Sequence, residues 1–129
     1  MNQRMSTHTG DAKALTFLKT QYDECRKYHP KCQKLAPYND FRPTRAIYVG
    51  SAKQDTVVRL CDGIDFIAGS FYTVLSHCWG EQPQPIMLTK STVKMLKEGV
   101  PQSSLPKTFQ DAIIVTRMFS IQYIWIDSL

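Results

Sequence analysis

Tyr123-Ile-Trp-Ile126 is apolar on both of the faces that an alternating strand presents. Successive side chains of a strand point to opposite sides of its sheet, so this run has no side to turn toward water. A strand of this kind, taken as Ile121 to Ile126, belongs in the middle of a mostly parallel sheet covered on both faces. A second run, Tyr72 to His77, has Val74 and Leu75 at its centre and stops at Trp79-Gly80. Pro83 and Pro85 mark the loop after it. Helix-like segments separate the two runs, so strand, helices, strand predicts a right-handed crossover unit and an α/β fold.

The crossover is predicted to hold two helices. The first spans about Lys90 to Glu98, with Thr89 as N-cap and Gly99 as its stop. The second starts near Pro106, which suits a first-turn position, and runs to about Phe119. Its apolar sector holds Phe109, Ala112, Ile113, Val115, Thr116 and Phe119, with Ile114 and Met118 outside it. A helix apolar beyond one face is expected to be covered on more than one side. Upstream, Arg45–Val49 and Thr56–Cys61 read as two strands of a loose hairpin, the second broken by Asp62-Gly63. Before them, Leu15, Leu18, Tyr22 and Cys25 form a helical stripe starting at Asp11. Pro30 ends that helix at about His29, and Lys31 to Pro43 reads as a loop. Residues 1–10 are polar and read as a disordered terminus, 11–43 as a lead-in, and 44–129 as the domain proper.

Composition narrows the function classes. The chain has 129 residues, 43% of them hydrophobic, which suffices for a core and argues against general disorder. A net charge of +5 spread along the sequence reads as a solvated face, not a nucleic-acid patch. No run of about 18 apolar residues occurs, so no membrane span is expected. Residues 1–20 lack the apolar stretch of a secretory signal. Four scattered cysteines do not resemble a secreted disulfide scaffold, so a reduced, cytoplasmic setting is expected. Neither a G-x-G-x-x-G nor a Walker A pattern is present, and no cofactor is expected.

In open α/β sheets, ligands collect beyond the carboxyl ends of the parallel strands. The first strand delivers Ser76, His77, Cys78, Trp79, Gly80 and Glu81 to that edge, and the second delivers Asp127 and Ser128. If the strands are neighbours, or one strand apart, these groups share one rim. The candidate catalytic residues are Asp127, Ser76, His77 and Glu81; Trp79, Gly80 and Asp127 are candidates for holding a cofactor. Each has a plainer role: His77 as a structural histidine, Trp79 as a packing anchor, Asp127 as a helix cap. His77 and Cys78 do not form a dyad while extended, because neighbours in a strand point to opposite faces. Cys25, His29 and Cys32 are spaced i, i+4, i+7, as metal ligands can be. Pro30 interrupts that helix, and a fourth ligand, Cys61 or His77, would have to come from elsewhere. The default is therefore a helix end packed on the core, with no metal.

Three ordered segments carry a family resemblance: Tyr72-Thr-Val-Leu-Ser-His-Cys-Trp-Gly80, Leu105-Pro-Lys-Thr-Phe-Gln-Asp-Ala-Ile113 and Tyr123-Ile-Trp-Ile-Asp-Ser-Leu129. In order and spacing they resemble the fungal heterokaryon incompatibility (HET) domain. Cys25-Arg-Lys-Tyr-His-Pro-Lys-Cys32, Pro43-Thr-Arg45 and Val57-Val-Arg-Leu60 resemble that family's lead-in, so the likeness covers about residues 15 to 129. Ser120 stands where the family usually has glycine, and Gln122 where it often has arginine. Family members continue past Asp-Ser-Leu with a Cys-Ile-x-Gln-like stretch, so the resemblance implies the N-terminal portion of a truncated HET domain. It also implies a flavodoxin-like or Toll/interleukin-receptor-like sheet, incomplete here, with an unpaired apolar edge at Ile121–Leu129 that invites aggregation. The implied role is fungal non-self recognition, triggering programmed cell death through assembly with itself or a protein partner. Because some members of the wider fold cleave NAD, nucleotide hydrolysis is the alternative, and a non-functional fragment is a further one.

Overall fold

The computed structural model describes residues 8–33, 41–51, 56–83 and 85–129, and the chain divides into two units, Met1–Tyr38 and Asn39–Leu129. In the first unit, helix α1 (Ala12–Tyr28) begins where the sequence places it. The Asp11 carboxylate accepts from the Ala14 N–H at 2.8 Å, and Lys19 pairs with Asp23 one turn on. His29 then leaves helical geometry (φ −101°, ψ 110°), as expected for the residue before a proline. The expected loop from Lys31 is corrected at its start, because Pro30 opens a second short helix, α2 (Pro30–Gln33). Proline is at home in a first turn, where its missing N–H has no partner to lose. No residue of α1 or α2 is buried, so the stripe from Leu15 to Cys25 is not a core face. Residues 34–40, most of the expected loop, and 1–7 of the expected disordered terminus lie outside the described residues.

The second unit is built on a five-stranded sheet. Its strands are β1 (Arg45–Tyr48), β2 (Val57–Asp62), β3 (Thr73–Leu75), β4 (Val100–Pro101) and β5 (Tyr123–Ile126), in spatial order β3-β5-β1-β2-β4. The β1–β2 hairpin forms as the sequence indicates. So does the parallel pairing of β3 with β5, which places Val74 beside Trp125 and Leu75 beside Ile126. The expectation of a mostly parallel sheet is corrected. The β1–β5, β1–β2 and β2–β4 pairings are all antiparallel, and the sheet is mixed. The expected unpaired edge at Ile121–Leu129 is corrected with it, since β5 is hydrogen-bonded to β3 on one side and β1 on the other.

Both faces of β5 are covered, as its composition demands. Ile124 and Ile126 join Ile47, Val58, Leu60, Leu96, Phe109 and Ile113 in the main core. Tyr123 points the other way, stacked on Phe66 with ring centroids 4.1 Å apart and planes 11° from parallel. Each such side chain contributes about 1.5–3 kcal/mol relative to leaving it in water.

Helices α3 (Val93–Glu98) and α4 (Lys107–Met118) occupy the crossover. The expected start at Lys90 with Thr89 as N-cap is corrected: the helix begins at Val93 with Thr92 at its N-cap position, and Thr89 and Thr92 exchange hydroxyl-to-N–H hydrogen bonds in the turn before it. Gly99 ends that helix with φ 119°, and a Cβ there would sit 2.9 Å from Val57. Helix α4 buries Phe109, Ile113 and Thr116, while Ile114 is exposed. Cover on more than one side is therefore not what the helix has. The Thr116 hydroxyl meets that of Thr73 at 2.7 Å, tying α4 to β3, and Arg117 donates to the Val49 carbonyl.

Ser120 follows α4 with φ 59°. Left-handed backbone disfavours any residue with a Cβ by about 1–2 kcal/mol, which explains why glycine suits this position. Part of that gain is offset by the greater freedom of glycine in the unfolded chain. Ser120→Gly should therefore raise stability by about 0.5–1 kcal/mol, read as a higher urea midpoint at unchanged slope. A lower midpoint would contradict the strain at this turn.

Candidate functional site

Parallel pairing of β3 and β5 sends both strands out of the sheet at the same end. Asp127 is the first residue beyond β5, and His77 lies two residues beyond β3. After β5 the chain turns, the Leu129 N–H donating to the Ile126 carbonyl at 3.0 Å. The Ser128 carbonyl then accepts from the Leu88 N–H at 2.8 Å, and Leu129 is buried in the main core. The turn fixes where Asp127 points.

Asp127 is the centre of the rim. One of its oxygens accepts from the Trp79 Nε1–H at 2.8 Å, and the other lies 3.6 Å from His77 Nδ1. The first contact is a hydrogen bond to a charged acceptor; the second is too long for one and is an ion pair when the imidazole is protonated. The His77 side chain is 9% exposed and stands edge-on to the Phe109 ring, centroids 5.0 Å apart at 88°. Neither of its ring nitrogens makes a hydrogen bond among the described residues. Burying an imidazole on those terms is unfavourable, and folded chains retain such groups chiefly at sites that serve a purpose. The hydroxyl of Ser128, next in sequence to Asp127, is also buried without a hydrogen-bond partner among the described residues.

Of the residues the sequence nominates, the structure brings together Asp127, His77 and Trp79. Ser76, Cys78, Gly80 and Glu81 are exposed and make no hydrogen bond to Asp127 among the described residues. Gly80 is needed for its backbone, with φ 74° and open space where a Cβ would go. Cys78 faces solvent while His77 turns inward, the alternation expected of consecutive extended residues. Phe109 is the support that a pattern reading missed, because one apolar helix position looks like another until the ring it faces is known.

The i, i+4, i+7 group also converges. Cys25 Sγ lies 3.1 Å from Cys32 Sγ and 3.4 Å from His29 Nδ1, with all three ligand atoms within 4.8 Å of one another. Had the helix run straight, residues seven apart would be separated by about 10 Å along its axis. The break at His29 folds α2 back and closes that distance, so Pro30 assembles the cluster where it was expected to disrupt it. The two residues considered as a fourth ligand belong to the other unit and have partners there. His77 meets Asp127, and the Cys61 thiol donates to the Ala46 carbonyl.

One further concavity escaped the sequence reading. A cleft of about 570 Å³ is lined by Tyr48, Arg59, Asp62, Asp65, Lys97 and Tyr123. Its cations are engaged: Lys97 pairs with Asp62 at 2.7 Å, and the Arg59 guanidinium lies 4.9 Å above the Tyr48 ring.

Two outcomes follow from this geometry. In a Trp125→Phe background, where Trp79 is the sole tryptophan, Asp127→Ala should shift the fluorescence emission to longer wavelength. Asp127→Asn, which keeps an acceptor oxygen, should shift it less, and unchanged emission in both would contradict the contact. The second concerns Cys61, whose thiol is pushed up from 9.0 to about 11, chiefly by burial. Its alkylation at pH 8 should be about a hundredfold slower than that of an unshifted thiol. The folded state holds this proton more tightly than the unfolded chain. The stability it contributes is therefore complete below about pH 9 and lost as pH rises through about 11. Equal labelling of Cys61 and the exposed Cys78 would contradict this.

Residues 72–129 match the family described as Heterokaryon incompatibility protein (HET). No curated protein and no solved structure matches the chain. The family match contains β3, α3, β4, α4, β5 and every residue of the rim, while β1, β2 and the Cys25–Cys32 cluster lie before it. The segment from Tyr72 to Leu129 is thus similar to the heterokaryon incompatibility (HET) family.

Proposed function

We propose that this chain acts in fungal non-self recognition as a HET-type signalling domain in the cytoplasm, triggering programmed cell death by assembling with itself or with a protein partner. The match over residues 72–129 carries the reading. The rim supports it: Trp79 is 42% exposed yet held in place through its indole N–H on Asp127. A fixed, half-exposed tryptophan next to a carboxylate offers an anchor of the kind that protein interfaces favour. No described helix is long and apolar enough to cross a membrane.

One observation favours a second reading, cleavage of a dinucleotide such as NAD. Asp127 and His77 set a carboxylate against an imidazole beyond the ends of two parallel strands, where α/β folds bind ligands. A carboxylate so placed can hold a ribose hydroxyl or take up a proton.

A single experiment separates the two. The chain is induced in a filamentous fungus, and survival and cellular NAD are followed together. Killing by the intact chain, abolished by Asp127→Ala and by Trp79→Ala with NAD unchanged, is the expected outcome. NAD loss that depends on Asp127 would move the conclusion to the enzyme. Harmless expression of an intact, soluble chain at high level would contradict both readings.

A further inference from the structure

We propose that Cys25, His29 and Cys32 form a binding site for one zinc ion, separate from the rim and independent of the function proposed above. Two thiols and an imidazole are the donor set that zinc favours over harder cations such as magnesium or calcium. Tetrahedral coordination with metal–sulfur distances of about 2.3 Å and metal–nitrogen distances of about 2.0–2.1 Å needs donors a few ångströms apart. The observed 3.1 Å and 3.4 Å separations lie close to that requirement.

The backbone around the cluster is arranged for it. His29 sits at the hinge between α1 and α2, its N–H bonded to the Cys25 carbonyl and its own carbonyl accepting from Cys32 and Gln33. Those bonds fix all three donors relative to one another without help from a core, which this unit lacks among its helices. The break at His29, which buries no residue of either helix, brings these three side chains to one point.

On binding a divalent ion the three donors act together. Each thiol releases its proton to solvent, each sulfur donates a pair to the metal, and the two negative charges balance the ion. Three protein donors leave one tetrahedral position, taken by a water molecule. Because protons are released, affinity should fall as pH falls.

The full-length chain, purified reduced and stripped of metal, is titrated with zinc against a chromophoric chelator, and separately with cobalt(II). One zinc per chain is expected, together with a sulfur-to-cobalt charge-transfer band. Cys25→Ser should abolish both. His29→Ala, at an exposed position that leaves the fold undisturbed, should weaken zinc roughly a hundredfold. Cys61→Ser and Cys78→Ser should bind as the unaltered chain does. Zinc uptake unaffected by Cys25→Ser would overturn the assignment. So would a reduced chain that takes up no zinc while air readily joins Cys25 to Cys32 as a disulfide.

Discussion

The placement of β5 is the constraint on which the second unit depends. Four residues without a polar face need cover above, cover below and hydrogen-bonding partners on both edges. The sheet supplies β1 on one side and β3 on the other. The α4 face bearing Phe109 and Ile113 covers Ile124 and Ile126, and Phe66 covers Tyr123. Parallel pairing with β3 then determines the site, because it brings the ends of two strands some fifty residues apart in sequence to the same rim. Asp127 is held by Trp79 and faces His77 as a consequence of how β5 is buried.

Local chemistry made much of this legible. Asp11 as a cap, the helix end before Pro30, the β1–β2 hairpin, Gly99 at the end of α3, and the helix after Pro106 are all decided within a few residues of chain. That β3 and β5 end on the same side was also legible, because a crossover unit makes them parallel, although it left open whether they are neighbours or one strand apart. Strand direction across the sheet was not. Burial on two faces marks an interior strand but is silent on whether its second neighbour runs with it or against it, and β1 runs against it. The two-residue β4, ending in Pro101, carries too little pattern to read as a strand. The convergence of Cys25, His29 and Cys32 was not legible for a related reason. Spacing along a straight helix says nothing about what a kink does to it.

The family match begins at Tyr72 and so includes only part of the sheet. Its own strands, β3, β4 and β5, are not contiguous in space: β1 and β2 lie between β5 and β4. The matched segment therefore relies on the preceding hairpin to bury Ile124 and Ile126 and to fill the sheet. Any functional account of the rim has to include the β1–β2 hairpin, although no residue of β1 or β2 touches Asp127 among the described contacts.

A double-mutant cycle between Trp79 and Asp127 tests most directly the claim that the two strand ends converge on one rim. Stability is measured for Trp79→Phe, Asp127→Ala and the pair. Contact between the indole N–H and the carboxylate requires non-additivity, with a coupling of about 0.5–1 kcal/mol for a hydrogen bond this exposed. Single effects that simply sum in the double variant would mean that the two ends do not meet.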